Sequence, residues 1–324
     1  MAEQRDWAFP AEMRPRPEDW RFDLDKALDA VVLLRAEIPD DAFTAPILGT
    51  ERAGNGVVIN DSGLVLTIGY LITEASVIWL TTNKGTVAGG TVLAYDQATG
   101  FGLVQPLGKL GVKAIERGSA SSIRVGENVV VAGHGGRAHA LKATVFAKRE
   151  FAGYWEYVLD EALFTAPAHP QWGGAALIGA DGKLAALGSL LVQEKIDAGT
   201  IQGNMMVPID LLEPILDDMA RTGRANRAPR PWLGMYTTEA GERLVIAGLA
   251  PGGPAERAGA RVGDAVLEVA GARPKSLADL WRKIWDLGPS GSIVPLKLGR
   301  SGKSTEVRIT SADRGDFLKK PHLH

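Results

Sequence analysis

The sequence contains no cysteine, which excludes disulfide bonds, thiol catalysis and cysteine-ligated zinc. It also has no large excess of charge of either sign, because 36 Lys and Arg residues balance 38 Asp and Glu residues. The formal net charge of −2 gives no long-range field that would attract nucleic acid or anionic lipid. No nucleic-acid partner is therefore expected.

Long apolar segments are missing as well. No run of about 18 apolar residues occurs, so no membrane span is predicted. The first residues, MAEQRDWAFPAEMRPRPEDWRFD, mix charges with prolines and lack the apolar core of a secretory signal. As written, the chain is expected in the cytoplasm, or in the periplasm if residues that precede Met1 have been lost.

The sequence does contain enough apolar residues for a core and for two or three domains, with 45% hydrophobic and 23% charged residues among 324. Between about residues 43 and 207, short apolar or alternating runs are separated by glycine, asparagine and aspartate; examples are GVVIN, LVLTIGYLI, NVVVAGHG and LKATVFAK. Many short strands at close spacing predict a β-barrel or β-sandwich.

Helical patterns follow this region. Residues 208–227 carry apolar side chains at helical spacing before Arg221 and Gly223, which predicts one closing helix. The basic, proline-bearing stretch RANRAPRP predicts a linker, and residues 230–312 mix strand patterns with the helical pieces PAERAGA and SLADLWRKIWDLG. Four aromatic side chains among the first 40 residues predict an arm that packs on another surface: Trp7, Phe9, Trp20 and Phe22.

In this order the segments resemble the HtrA (Deg) family of trypsin-like serine proteases with a C-terminal PDZ domain. GNGVVINDSGLVLT is similar to the family's strand and turn ahead of the catalytic histidine, and YDQATGFGLVQ to its aspartate-bearing strand. SSIRVGENVVVAGHGG is similar to the entry of the second barrel, and GGAALIGADGKLAALGS to the strand pair after the nucleophile. RPWLGM, GGPAERAGARVGDAVLEVAG and SLADLWRKI resemble the carboxylate-binding loop, core and groove helix of a PDZ domain.

The resemblance covers roughly residues 41–312 and implies a mainly β fold, with a chymotrypsin-like double β-barrel followed by an α+β PDZ domain. We therefore expect an N-terminal arm at 1–40 and a trypsin-like domain with its closing helix at 41–222. A linker at 223–229, a PDZ domain at 230–314 and a tail at 315–324 complete the predicted organisation.

The resemblance also implies where a catalytic triad would lie, and all three positions are substituted. Tyr70 in LTIGYL takes the histidine position, Gly100 in ATGFGL takes the aspartate position, and Gly173, eight residues before Asp181, takes the serine position. Glycine supplies neither a nucleophile nor a carboxylate, and a phenol is no general base at pH 7. The sequence therefore predicts a pseudoprotease without metal or cofactor.

Relocated chemistry is an alternative. His134 and His169 are expected near the former cleft, where either could be a relocated base or the two a metal pair, although loop histidines more often serve as hydrogen-bonding residues. Ser189 is expected on a strand that lines the cleft. His322 and His324 in the tail are a solvated end or a weak metal-binding pair.

The loop around the missing serine has two interpretations. The backbone N–H groups of Gln171 and Gly173 take the positions of the family's oxyanion donors and could still hold an anion. Trp172, which lies between them, could instead plug the cleft. Nearby in sequence, residues 149–162 gather four aromatic side chains, which is more typical of a core than of a contact surface.

A PDZ domain binds an extended peptide as an added strand and holds the terminal carboxylate with backbone N–H groups. Such a loop often demands positive φ at its glycine, here Gly234. The alternatives are a groove that the chain itself occupies, or a domain that only packs against the barrel. The residues assigned to the loop and its strand are Trp232, Leu233, Gly234 and Met235, and those assigned to the groove wall are Leu277, Leu280, Trp281 and Ile284.

Together these patterns predict a catalytically inactive HtrA-like homologue that binds peptides or protein C-termini through its PDZ domain, or acts as a scaffold. The alternatives are a serine endopeptidase with a non-standard catalytic set and a regulatory subunit that assembles with an active relative. Because family members commonly trimerise through N-terminal aromatic segments, the arm would permit a homotrimer.

Overall fold

In the computed structural model, residues 7–196 and 199–319 are described, and they divide into two compact units. The first unit comprises residues 7–149 and 161–226 together with Lys319. The second comprises Glu150–Asp160 and Arg227–Leu318. A short piece from the middle of the chain thus belongs with the C-terminal part.

The first unit contains two closed β-barrels of six strands each. In the first barrel the strand order is β1-β2-β3-β6-β5-β4. Alternation along β1 points Val32 and Leu34 into the barrel, where both are fully buried. The strands are β1 Val31–Glu37, β2 Glu51–Val58, β3 Val65–Ile68, β4 Val77–Thr81, β5 Val87–Tyr95 and β6 Phe101–Pro106.

The second barrel has the order β10-β11-β12-β9-β8-β7. Its core includes Val129, Leu141 and Leu177, and the N-terminal arm adds Phe9, which is 7% exposed, to the same cluster. The arm therefore packs on the chain's own second barrel. The strands are β7 Asn128–Ala132, β8 Ala140–Gly153, β9 Tyr157–Ala166, β10 Ala176–Ile178, β11 Leu184–Ile196 and β12 Gly199–Pro208.

The closing helix is shorter than its periodicity predicts. A 3-10 turn at Ile209–Leu211 precedes the α-helix, which spans only Leu216–Thr222. Pro214 explains the interruption, because proline disfavours the helical conformation of the residue before it and cannot donate a backbone hydrogen bond. The helix ends at Gly223, where φ is +77°.

The second unit has a five-stranded sheet of order β13-β14-β15-β16-β17. Its main helix begins at Leu277, because the side chain of Ser276 accepts a hydrogen bond from the N–H of Asp279. One face of this helix is buried in the unit's core. The strands are β13 Met235–Ala240, β14 Arg243–Leu249, β15 Ala265–Val269, β16 Ile293–Arg300 and β17 Lys303–Thr310.

The remaining elements are short. None of the helices in 7–196 and 199–319 has the length and apolar character needed to cross a bilayer. The α-helices are α1 Leu24–Asp29, α2 Ala45–Leu48, α3 Leu216–Thr222, α4 Pro254–Arg257 and α5 Leu277–Trp285. The 3-10 turns are Ala11–Met13, Pro17–Asp19, Gly69–Leu71, Ala120–Ser122, Gly136–His139, Ile209–Leu211 and Arg314–Phe317.

Candidate functional site

Tyr70 and Gly173 come from different barrels and meet in the first unit. Tyr70 lies in the 3-10 turn that directly follows β3, and Gly173 lies in the loop before β10. A Cβ placed on Gly173 would be 2.9 Å from the phenol oxygen of Tyr70. The two positions assigned to a histidine and a serine are therefore neighbours in space, and the phenol occupies the place that a side chain at 173 would need.

The phenol of Tyr70 is engaged and stays protonated. Its O–H donates to the carbonyl of Ser189 at 3.0 Å. Burial raises the pKa of Tyr70 above its usual value, while a hydrogen bond with the Trp172 side chain acts in the opposite direction. A phenol with a raised pKa carries its proton at neutral pH, so it cannot accept one from a nucleophile.

Gly100 lies against the turn that carries Tyr70. Its carbonyl accepts a hydrogen bond from the N–H of Gly69 at 2.7 Å, and its φ is +81°. The carboxylate nearest in sequence, Asp96, is held within its own turn by the N–H and hydroxyl of Thr99, at 2.8 and 2.7 Å. Gly100 itself supplies no group that could orient a base.

Asn55 in β2 fixes the loop that contains Gly173. Its side-chain amide donates to the carbonyls of Gln171 and Gly173 at 2.9 and 3.2 Å, and its backbone N–H donates to Gly173 at 2.7 Å. Its side-chain oxygen accepts from the N–H of His134 at 2.8 Å. Asn55 is 1% exposed, so a loss of these bonds would leave buried polar groups unpaired. Asn55 is not among the residues predicted from the sequence, where its position between two glycines was the available signal.

His169 is buried beside the same loop as a neutral imidazole. Its Nδ1 accepts from the N–H of Gln171 at 3.1 Å, and its Nε2 donates to the carbonyl of His139 at 2.9 Å. Burial lowers the pKa of His169 to about 4, against the opposing effect of these two backbone bonds. Both ring nitrogens are bonded to main chain, so this ring has no nitrogen left to activate a hydroxyl.

The backbone N–H groups of Gln171 and Gly173, which were assigned to an oxyanion, are not both available to a bound anion. The N–H of Gln171 is directed to His169. Trp172 is half-buried and its indole lies against the phenol of Tyr70, to which it is hydrogen-bonded. This placement favours the interpretation in which Trp172 fills the cleft.

The other candidate side chains do not form a catalytic group. Burial lowers the pKa of His134, and a backbone hydrogen bond with Thr82 acts in the opposite direction. Ser189 is 6% exposed and uses its carbonyl to bind Tyr70. Within the described ranges, no group of three or more His, Asp or Glu side chains could hold a metal ion. His322 and His324 lie outside the described residues.

In the second unit, three successive backbone N–H groups converge on the side-chain carboxylate of Glu156. Oε1 accepts from Leu233, Gly234 and Met235 at 3.1, 2.7 and 3.0 Å, and Oε2 accepts from Leu233 at 3.0 Å. Gly234 has a φ of +72°, and a Cβ there would lie 3.0 Å from that of Ala250. The loop assigned to a peptide carboxylate therefore holds a carboxylate of the chain itself.

Two effects make the docked position of Glu156 energetically unfavourable. Its φ is +61°, a left-handed conformation that costs on the order of 1 kcal/mol for a residue with a Cβ. Burial raises the pKa of its carboxyl to about 7, although the three N–H groups and Arg314 act in the opposite direction. The contacts with the loop therefore offset backbone strain as well as desolvation.

The segment that carries Glu156 is the tip of the β8–β9 hairpin. The carbonyl of Tyr154 accepts from the N–H of Thr237 in β13 at 2.9 Å, and the carbonyl of Gly153 accepts from the indole of Trp281 in α5 at 3.0 Å. The hairpin thus contacts both the strand and the helix that were assigned to the peptide groove.

The groove-wall residues are buried in a core that the hairpin shares. Val158 belongs to the same apolar cluster as the four assigned side chains of α5, and Ala152 packs against it. Trp232 is also buried, and its backbone exchanges two hydrogen bonds with Ala312. The exposed fractions on α5 are 8% for Leu277 and 0% for Leu280, Trp281 and Ile284.

Glu156 is the second functional residue that is not among those predicted from the sequence. Its contacts with the loop span 77 to 79 residues of chain, which no local pattern reveals. The available signal was an acidic residue inside the aromatic run GYWEY, where the flanking side chains favour burial.

Comparison with known proteins gives two family matches. Residues 54–187 match the trypsin-like peptidase domain, and residues 245–298 match the PDZ domain. A probable periplasmic serine endoprotease DegP-like of Halomonas elongata is 24% identical over 279 residues, which cover 82% of this chain. The serine protease PepD of Mycobacterium tuberculosis is 28% identical over 311 residues, or 88% of this chain. The chain spans 57% and 64% of the length of these two relatives.

Solved structures share the fold. The HtrA-type protease AlgW with decapeptide matches with a TM-score of 0.53 and 18% identity, covering 92% of this chain and 98% of that one. The serine endoprotease from Yersinia pestis matches with a TM-score of 0.52 and 20% identity, covering 90% and 98%. The predicted mainly β architecture of a trypsin-like domain followed by a PDZ domain is confirmed.

Proposed function

Because the chain belongs to the HtrA family, with a trypsin-like peptidase domain followed by a PDZ domain, we propose that it is a catalytically inactive member of that family. In this proposal it acts as a peptide-binding or scaffolding protein, and the PDZ domain is its binding module.

The contact between Tyr70 and Gly173 supports the loss of proteolysis. Acyl transfer needs a hydroxyl nucleophile and a neutral base within hydrogen-bond reach of each other. At this point the chain offers a residue without a side chain and a phenol that is bound to the carbonyl of Ser189. Gly100 adds no carboxylate. Three separate segments would have to change before the usual mechanism could operate.

The state of His169 argues against a relocated mechanism. A relocated base would need one ring nitrogen free to take a proton from a serine, whereas both nitrogens of this ring bond to the main chain. Its lowered pKa, about 4, also makes it a weak proton acceptor at neutral pH.

Peptide binding rests on one observation, the capture of the Glu156 carboxylate by three adjacent N–H groups. A loop that binds a side-chain carboxylate in this geometry has the donors that the α-carboxylate of a protein C-terminus would need. The bound partner in this proposal is therefore a protein C-terminus in an extended conformation.

The proposal also includes the oligomeric state of the protein and its cellular compartment. We propose a homotrimer, which sedimentation equilibrium of the full chain would test by its mass. The cytoplasmic location predicted from the sequence stays a prediction, and cell fractionation distinguishes it from the periplasm named for the Halomonas elongata relative.

Two measurements on the full chain test the proposal. Casein hydrolysis and labelling by a fluorophosphonate probe should both stay at the level of a protein-free blank, with trypsin as the positive control. Turnover that disappears when one identified serine is mutated would show that the chain is a serine endopeptidase. In the second measurement, a library of C-terminal peptides should contain binders that lose affinity when their carboxylate is amidated.

A further inference from the structure

We propose that the hairpin Glu150–Asp160 is an internal ligand of the PDZ domain, and that a protein C-terminus binds by displacing it. This inference rests on the proposed function, because it assigns a regulator to the same peptide site. The observation behind it is that the hairpin makes, within one unit of the structure, the set of contacts that a C-terminal peptide requires.

The hairpin enters the site in the direction of a bound peptide. Glu156 contacts the loop 233–235, and two residues earlier Tyr154 contacts Thr237, two residues further along β13. Residue numbers thus fall on the hairpin while they rise on β13, which is an antiparallel arrangement with the carboxylate at the loop. An extended peptide that adds a strand to β13 would place its own C-terminal carboxylate at the same donors.

The side of the groove formed by α5 is occupied as well. The indole N–H of Trp281 is fully buried and donates to Gly153, so an arriving peptide would have to offer a carbonyl in its place. Ala152 and Val158 of the hairpin pack against the apolar cluster of α5. Hairpin and peptide need the same donors and the same apolar surface, so their binding is mutually exclusive.

Several features of the docked hairpin make it displaceable. Glu156 adopts a left-handed backbone conformation, a strain that the α-carboxylate of a peptide does not require. The ends of the hairpin are joined by Arg282, which binds Glu150 at 2.5 Å and Asp160 at 2.6 Å. These ion pairs are exposed and contribute little to stability. Asp160 itself is 93% exposed in its side chain.

Because the hairpin is part of the same chain as the PDZ domain, its docking lowers the affinity for an external peptide. An internal ligand is present at a high effective concentration, so an external peptide binds only the fraction of molecules whose hairpin is undocked. Weakening the docked state should therefore strengthen peptide binding. If the groove were open, changes in the hairpin would not alter the affinity for the peptide.

The test uses the full chain and a peptide that copies the internal ligand. The probe is fluorescein-labelled KREFAGYWE, residues 148–156 with a free C-terminus, and its control is KREFAGYWQ with a C-terminal amide. Binding is measured by fluorescence polarisation for the wild type, Glu156→Ala and Glu156→Gln. Glu161→Ala is the matched control, because Glu161 directly follows the hairpin in β9 and its side chain, which is 54% exposed, pairs with Lys148 instead of the loop 233–235.

We expect Glu156→Ala to bind the free-acid probe roughly tenfold more tightly than the wild type. Glu161→Ala should match the wild type, and the amide should bind none of the proteins. Glu156→Gln keeps the size and one acceptor of the native side chain, so it reports the effect of the charge if the alanine variant does not fold. In hydrogen-exchange mass spectrometry of the wild type, the probe should raise exchange in residues 150–160 while residues 233–237 stay protected.

Failure of the internal-ligand proposal and failure of the proposed peptide binding would give different results in this experiment. If the wild type and the folded Glu156 variants bind the probe with equal affinity, and the hairpin stays protected when the probe binds, then the hairpin is not an internal ligand. The proposal that the PDZ domain binds peptides would be unaffected. Absence of binding to every folded variant overturns the proposed function, and the internal ligand with it. Equal binding of acid and amide shows that the loop is not the receptor of the carboxylate, which also overturns the inference.

Discussion

Gly173 faces the phenol of Tyr70 so closely that a Cβ added to the glycine would lie 2.9 Å from the phenol oxygen. Real Cβ atoms do not approach an oxygen of a held side chain at that distance without a shift of one of them. The two positions are therefore coupled, since tyrosine at 70 is compatible with glycine at 173 and conflicts with a larger residue.

This coupling predicts that Gly173→Ser does not restore proteolysis. The new hydroxyl would meet a protonated phenol instead of an imidazole, so casein hydrolysis should stay at the blank. The crowded site should lower the free energy of unfolding by about 1 to 3 kcal/mol, measured by urea denaturation.

Gly108→Ser is the matched control for this variant. Gly108 is exposed, and its added Cβ would meet only the Cβ of Ala88 at 3.7 Å, an ordinary contact. Its stability should stay within about 0.5 kcal/mol of the wild type. Measurable turnover by Gly173→Ser would contradict the account of Tyr70 as an inert phenol.

His169 predicts a loss of stability in acid. Its pKa is about 4 in the folded chain and 6.5 as the ordinary value, so the unfolded state binds more protons between these two pH values. Its contribution is fully present above about pH 6.5 and is lost as the pH falls through this window, by on the order of 2 to 3 kcal/mol.

The measurement is the difference in unfolding free energy between the wild type and His169→Gln from pH 7 to pH 4.5. Glutamine retains polar groups but cannot titrate, so the variant should be less stable at pH 7 and should lose less on acidification. Parallel pH curves for the two proteins would show that His169 is not the titrating group.

The strands follow from local patterns of apolar and turn residues, whereas the order of the domains and the meeting of positions 70, 100 and 173 are what the resemblance to the HtrA family implies. Gly173 was assigned by counting eight residues back from Asp181, and Gly234 was expected at positive φ because several N–H groups must face one carboxylate. The first inference also needs the HtrA family's spacing between its serine and the Asp-Gly turn, whereas the second needs only neighbouring residues. Pro214 was equally visible, and giving it less weight than the apolar periodicity made the closing helix too long.

Asn55 and Glu156 could not be predicted in this way. The side chain of Asn55 reaches residues 116 and 118 positions away, and Glu156 reaches residues 77 to 79 positions away. Their roles depend on which loops the tertiary fold brings together. The aromatic residues on either side of Glu156 favour its burial, but only the tertiary fold shows which N–H groups bind its carboxylate.

Glu156 predicts that docking of the hairpin weakens as the pH rises. Its pKa is about 7 when docked and 4.5 as the ordinary value, so the docked state binds more protons between these values. The docked state is therefore favoured below about pH 4.5 and loses this contribution as the pH rises through 7. Arg314 acts on this equilibrium by lowering the pKa of Glu156, and the phenol of Tyr236, whose pKa burial raises, interacts electrostatically with the same carboxyl.

Hydrogen exchange of residues 150–160, corrected for the intrinsic effect of pH, measures this opening. Between pH 5.5 and 8 the wild type should open increasingly, whereas Glu156→Gln should show a constant degree of opening because an amide does not titrate. A wild-type hairpin whose corrected exchange is independent of pH would refute the assignment of the pKa to the docked carboxyl.

Gly234→Ala should abolish the capture of the Glu156 carboxylate. Alanine is strained at a φ of +72°, and its Cβ would lie 3.0 Å from that of Ala250 and 3.1 Å from the ring of Trp232. Moving the peptide plane redirects at least one of the three N–H groups, so exchange of residues 150–160 should rise and the probe KREFAGYWE should not bind. We expect a loss of about 1 to 2 kcal/mol in the free energy of unfolding from backbone strain alone.

Gly241→Ala separates this effect from strain. Gly241 has a φ of +61° in the turn between β13 and β14, and nothing lies within 4 Å of its added Cβ. It therefore carries a similar backbone strain at the far end of the same strand without touching the loop. If the two variants lose similar stability but only Gly234→Ala exposes the hairpin, the N–H groups of 233–235 hold Glu156 in place. If Gly241→Ala exposes it equally, general weakening of β13 is the cause and the specific role of the loop is refuted.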